Sequence, residues 1–99
     1  MKSTYPGAAA QRLQELIRQR GQYGHVEVRS RAQHLIVEVV EEAGREPVAR
    51  ATAINAQEYG LSFRSHTGRW EPLPVVGKLE DIARAITEEL GAYIDPANL

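Results

Sequence analysis

Between His25 and Val75 the chain alternates apolar and polar residues in a series of short runs, and two stretches with helical spacing bracket this block. A period of two puts successive side chains on opposite faces of a strand, and a one-residue slip in pairing swaps the faces. The pairing of the block can therefore be worked out by parity, and with it the side chains that meet water.

Val26 and Val28 alternate with His25, Glu27 and Arg29, while Leu35, Val37 and Val39 alternate with His34, Ile36, Glu38 and Val40. A tight turn at Arg31-Ala32 sets Val26 opposite Val37 and Val28 opposite Leu35, so both apolar rows share a face. Glu41 to Glu46, with Gly44 inside, reads as the next turn. An odd-length loop or a bulge is then required, because the other parity would bury Arg50. That places Ala49, Ala51 and Ala53 on the core face, where small side chains let a helix come close. Asn55 to Gly60 turns the chain again, and Leu61 and Phe63 continue the core row. Thr67-Gly68 as a two-residue hairpin turn sets Trp70 opposite Ser65, Glu71 opposite Arg64 and Pro72 opposite Phe63. This register sends Trp70 inward. Pro72 and Pro74 cannot donate to a ladder, so the last strand is expected at an edge.

The first helix is expected to start near Tyr5-Pro6-Gly7, capped by Ser3 or Thr4, and to run for about three turns. Leu13, Leu16, Ile17 and Arg20 make one stripe, Arg12, Glu15 and Gln19 the other side, and Arg18, Arg20 and Gly21 the stop. In the last helix Leu79, Ile82, Ile86, Leu90 and Tyr93 form the stripe, with Ala83 and Ala85 keeping nearby spacing tight. Glu80 and Asp81 suit its first turn, Arg84 can reach Glu80 and Glu88, and Asp95-Pro96 ends it. Two amphipathic helices need something to cover, and the strands are the only candidate.

The resulting expectation is an α+β fold: an N-terminal helix, an antiparallel meander of four to five strands and a C-terminal helix, with both helices on one sheet face. A chain of 99 residues encloses one core, so residues 1–99 read as a single domain, flexible at 1–6 and 96–99. Lys and Arg (12) nearly balance Asp and Glu (13), which disfavours nucleic acid and anionic membranes as partners. The chain has no cysteine, which removes disulfides, thiolate catalysis and Cys-based metal sites. No stretch reads as a signal peptide or a transmembrane segment, so a soluble, cytoplasmic protein is expected.

On the open face the same registers line up His25, Glu38, Arg50, Arg64 and Glu71, one from each strand. Opposite charges meet at His25/Glu38, Glu38/Arg50 and Arg64/Glu71, each pair contributing from a few tenths to roughly 1 kcal/mol on a solvated face. The adjacent guanidiniums of Arg50 and Arg64 would also attract a carboxylate or a phosphate. His25 beside Glu38 has the form of a base with an orienting carboxylate, but no nucleophile accompanies it. Ile36, Val40, Val48 and Ile54 lie among the polar groups, with Val40 facing Val48, and would make a patch for self-association, such as a homodimer, or for a protein partner. No Gly-rich phosphate loop and no paired histidines at ligand spacing occur, so no cofactor or metal is expected.

The order helix, strands, helix is shared with double-stranded RNA-binding domains, whose second helix would be expected to begin with basic residues. Here Leu79-Glu80-Asp81 follows the single Lys78. The layout is also similar to that of frataxins, with a terminal helix on each side of a meander and a tryptophan late in the sheet, here Trp70. The acidic first helix and strand through which frataxins engage iron and the cysteine desulfurase machinery are missing, since Glu15 is the one acid between Gln11 and Arg20. That activity is not carried over. The sequence points to a non-enzymatic binding or assembly module using its open face; anion or small-molecule binding at Arg50 and Arg64 is one alternative, and acid/base chemistry at His25 and Glu38 another.

Overall fold

Alternation and helical periodicity resolve, in the computed structural model, into α1 (Pro6–Arg18), β1 (Val26–Arg31), β2 (His34–Glu41), β3 (Gly44–Ala53), β4 (Tyr59–Arg64), β5 (Trp70–Gly77), α2 (Leu79–Glu89) and a short α3 (Gly91–Ile94). The structure describes residues 6–94, so the caps expected at Ser3 or Thr4 and the stop at Asp95-Pro96 lie outside the described residues. The five strands form one antiparallel meander in the order β1-β2-β3-β4-β5. Among the described residues, no helix is long and apolar enough to cross a membrane.

Both helices cover the same face. α1 lies against β1 and β2, α2 against β4 and β5, and the two helices touch each other. The central strand therefore runs beneath the seam between them, and Ala49 and Ala51 fill that line with no exposed surface. The third alanine of the row, Ala53, is exposed at the strand end, beyond the expected cover. Leu13, Ile17, Val26, Val37, Leu61, Ile82 and Ile86 close the core around the alanines.

The parity demanded by Arg50 is met by a bulge. Val37 pairs with Ala49 but Glu38 pairs with Pro47, so Val48 is the extra residue and Ala49 and Ala51 stay under the helices. β2 and β3 continue further than expected, to Glu41 opposite Gly44, and the segment read as a loop from Glu41 to Glu46 is mostly ladder.

Three other details depart from expectation. The first hairpin turns at Ala32-Gln33, not Arg31-Ala32, so Val26 pairs with Val39 and Val28 with Val37. The two-residue shift preserves the faces, and Ala32 takes the left-handed backbone at φ 54°. The second hairpin shifts by one. Ser65 and Arg69 close a three-residue loop, Ser65 N–H donating to the Arg69 carbonyl at 2.8 Å, with Gly68 in the left-handed region at φ 85°. Arg64 then pairs with Trp70, Phe63 with Glu71 and Ser62 with Pro72. Finally, the last helix breaks after Glu89, so Ile94 enters the core and Tyr93 stands 55% exposed beside Phe63.

Helix charges pair across elements as well as along them. Arg84 reaches Asp81 at 3.0 Å, while Glu80 meets Arg12 at 3.8 Å and Glu88 meets Arg20 at 3.2 Å. Asp81 also caps α2 by accepting the Lys78 N–H at 3.1 Å. Gly77 makes this approach feasible, because a Cβ there would stand 2.6 Å from the Asp81 Oδ2.

Both sheet edges are blocked. Along β1, Gln14 Oε1 accepts the Val28 N–H at 2.9 Å and Arg18 Nε donates to the Val26 carbonyl at 3.1 Å, so α1 side chains occupy groups another strand would need. β5 is the other edge and carries Pro72 and Pro74. The face opposite the helices is the surface left open.

Candidate functional site

Glu38 enters the open face from the middle of β2, yet it is only 3% exposed. Its Oε2 accepts from Arg29 Nε at 3.0 Å, and its Oε1 from Arg45 Nη1 at 3.4 Å. Arg45 also donates to Glu27 Oε1 at 2.7 Å, bridging two carboxylates that face each other across the β1–β2 ladder. That bond is the largest cause holding Arg45 more firmly protonated than a free arginine. Two positive and two negative charges cancel here. Glu38 is thus a closed structural ion cluster, paired with neither His25 nor Arg50 as the sequence reading expected.

His25 is not a base at this cluster. It lies opposite Val40, and its Nε2 is 2.6 Å from the Ile94 carbonyl, tying the start of β1 to α3. The separation from Glu38 follows from the hairpin shift, which puts Glu27 where His25 was expected. Among the described residues, no three His, Asp or Glu side chains gather in a way that could hold a metal ion.

Arg50 pairs with Ile36 on one side and Ser62 on the other, so Arg64 is its diagonal neighbour, two residues further along β4. The one-residue slip of the second hairpin decides what lies beside them. Glu71, expected opposite Arg64, shares the helix-side face with Phe63, and Trp70 takes its place on the open face. The Arg50 guanidinium carbon stands 4.8 Å from the Trp70 ring centroid and that of Arg64 5.4 Å. Both distances lie within cation–π range. Neither arginine has an ion-pair partner among the described residues, and Arg50 Nε is closed off from solvent with no acceptor.

Next to this pair, His34 Nδ1 lies 2.8 Å from Thr52 Oγ1. Burial first, and then the charge of Arg50, holds His34 below the ordinary histidine range.

The expected apolar patch does not assemble. Ile36 is buried between Arg29 and Arg50, Val40 faces Arg45 rather than Val48, and Val48 packs toward the core from the bulge. Ile54 alone of the four is well exposed, at 57%. A different strip replaces it along β5. Trp70, Pro72 and Val76 pair with Arg64, Ser62 and Gly60 and alternate with Leu73 and Val75, which pack on the core. The signal for the strip was Gly68, whose place in the loop fits the longer hairpin that turns Trp70 outward. Against protein-family models, curated proteins and solved structures, the chain matches none.

Proposed function

We propose that the protein is a non-enzymatic binding module whose contact surface is the open sheet face, with Arg50, Arg64 and Trp70 at its centre. One observation carries this reading: two cations without acid partners converge on an exposed-face tryptophan, while every acid nearby on that face is already neutralised. Like charges held together are unfavourable for the free fold, and an incoming anion relieves their repulsion. The ligand is therefore anionic, at least in the part that meets the arginines. With both strand edges blocked, contact is through side chains of the face rather than by strand addition. A cysteine-free composition fits a reducing compartment such as the cytoplasm.

Trp70 is the only tryptophan in the chain, so selectively excited fluorescence reports this surface alone. At constant ionic strength, Trp70 should show a preference for iodide over caesium, measured against the same quenching ratio for free N-acetyltryptophanamide, of at least about two-fold, because two fixed positive charges enrich anions locally. The preference should vanish in an Arg50→Gln/Arg64→Gln double variant. A quenching ratio in the wild-type protein no higher than that of the free amide would remove the basis for the reading.

A further inference from the structure

We infer that the occupant of this face is an acidic, amphipathic segment of another protein, its carboxylates meeting Arg50 and Arg64 and its apolar side chains lying along β5. The inference rests on the binding-module reading above and names its partner. Val76 is 60% and Ile54 57% exposed, and Pro72 and Pro74 are exposed as well. Gly60 lies between the two large side chains: a Cβ added there would be 3.6 Å from Ile54 Cδ1, so the glycine keeps that end of the face low and apolar. Trp70, Pro72, Val76 and Ile54 thus border the arginine pair with an apolar strip, mostly of rigid side chains that lose little entropy on being covered.

Charge complementarity selects the class of occupant. On β3 to β5 the unpaired cations of this face are Arg50 and Arg64, since Arg45 is bound to Glu27 and Glu38. Two cations match a pair of carboxylates. A polynucleotide would call for a longer track of free cations, because its affinity comes from neutralising many phosphates in succession. A plain polyanion would leave the apolar strip beside the pair uncovered. A segment in which acidic and apolar side chains alternate satisfies both halves of the surface.

The test compares a synthetic peptide alternating glutamate with leucine against three controls: lysine in place of glutamate, serine in place of leucine, and a deoxythymidine oligonucleotide. Trp70 fluorescence and backbone amide shifts are followed for the folded wild-type chain and for Arg64→Gln and Val76→Ser, each checked by circular dichroism. The glutamate–leucine peptide should perturb Trp70 and the amides of β3 to β5, with affinity reduced at least about ten-fold by Arg64→Gln and several-fold by Val76→Ser. Equal binding of the glutamate–serine peptide would overturn the inference by showing that the strip plays no part. Oligonucleotide binding as tight as the peptide's would overturn it in favour of nucleic acid. No response to any peptide would also overturn it, while a surviving iodide preference at Trp70 would leave the anion-attracting surface itself in place.

Discussion

Replacing Arg50 with methionine should make the fold more stable, although Arg50 sits at the centre of the binding surface. The Nε closed off without an acceptor carries a desolvation penalty of about 1 to 3 kcal/mol. The guanidinium's contact with Trp70 returns about 0.5 to 1 kcal/mol. Methionine keeps an unbranched apolar stem against Ile36 and Ser62, so the packing of the stem is largely retained. The difference is a net gain of about 1 kcal/mol, which for a domain of this size raises Tm by about 5 °C. Urea unfolding followed by far-ultraviolet circular dichroism, which does not depend on the altered Trp70 environment, should show a higher midpoint at unchanged m. Arg64→Met provides the contrast: with no buried orphan to remove, it loses only its contact with the ring, roughly 0.5 kcal/mol. If Arg50→Met instead loses more than about 1 kcal/mol, Arg50 is a structural residue, and the case for a surface held ready for an anion collapses.

Three further perturbations check the frame around that surface. Ala51→Leu, at a position with no exposed area between Leu35 and Leu61, should cost about 1 to 3 kcal/mol by prising the helices off the sheet, whereas Ala53→Leu at the exposed strand end should change Tm little. Glu38→Gln removes the charge joining Arg29 to Arg45; with both arginines half in water the loss is about 1 kcal/mol, and a double-mutant cycle with Arg29→Gln should give a coupling of at least about 0.5 kcal/mol. His34 is held below the ordinary histidine range, so the unfolded chain takes up its proton first as pH falls. Stability should therefore decline from the unperturbed value of about 6.5 down to the folded value and then level off, and this part of the Tm-versus-pH slope should disappear in His34→Gln.

Whether an element could be read from the chain depended on whether its cause was local. Leu13 with Ile17 and Ile82 with Ile86 repeat at helical spacing, and the helices follow from that. The bulge at Val37/Glu38 was inferable from energetics: without it Arg50 would lie under α1 and α2, and burying an unpaired guanidinium costs more than one unpaired ladder position. The register of the first hairpin is not legible in the sequence, because its turn uses Ala32 in a left-handed conformation, a residue with no preference for it. The two-residue difference leaves the faces unchanged. The second mattered more. Thr67-Gly68 suits a two-residue turn, but Gly68 supplies its positive φ as the last residue of a three-residue loop. The one-residue difference exchanged Glu71 for Trp70 on the open face, replacing a salt bridge with an aromatic ring between two arginines.

That exchange changes what the face can recognise. With Glu71 beside Arg64 the row would have been nearly neutral, its pairs satisfied internally, and a partner would have had to displace existing ion pairs. With Trp70 there, the acids that the strands present on this face, among the described residues, belong to the Glu27–Arg45–Glu38–Arg29 cluster on β1 to β3, and Arg50 and Arg64 have no ion-pair partner. The sheet is thereby divided into a closed half, where buried Glu38 fixes the arginines around it, and an open half, where Arg50 and Arg64 rest on the ring. A cation stacked on tryptophan is held in position while its remaining N–H groups stay free to donate, which a salt bridge would not allow. The open half is accordingly preorganised for an anion, and the unfavourable juxtaposition of its two charges is compensated when one arrives.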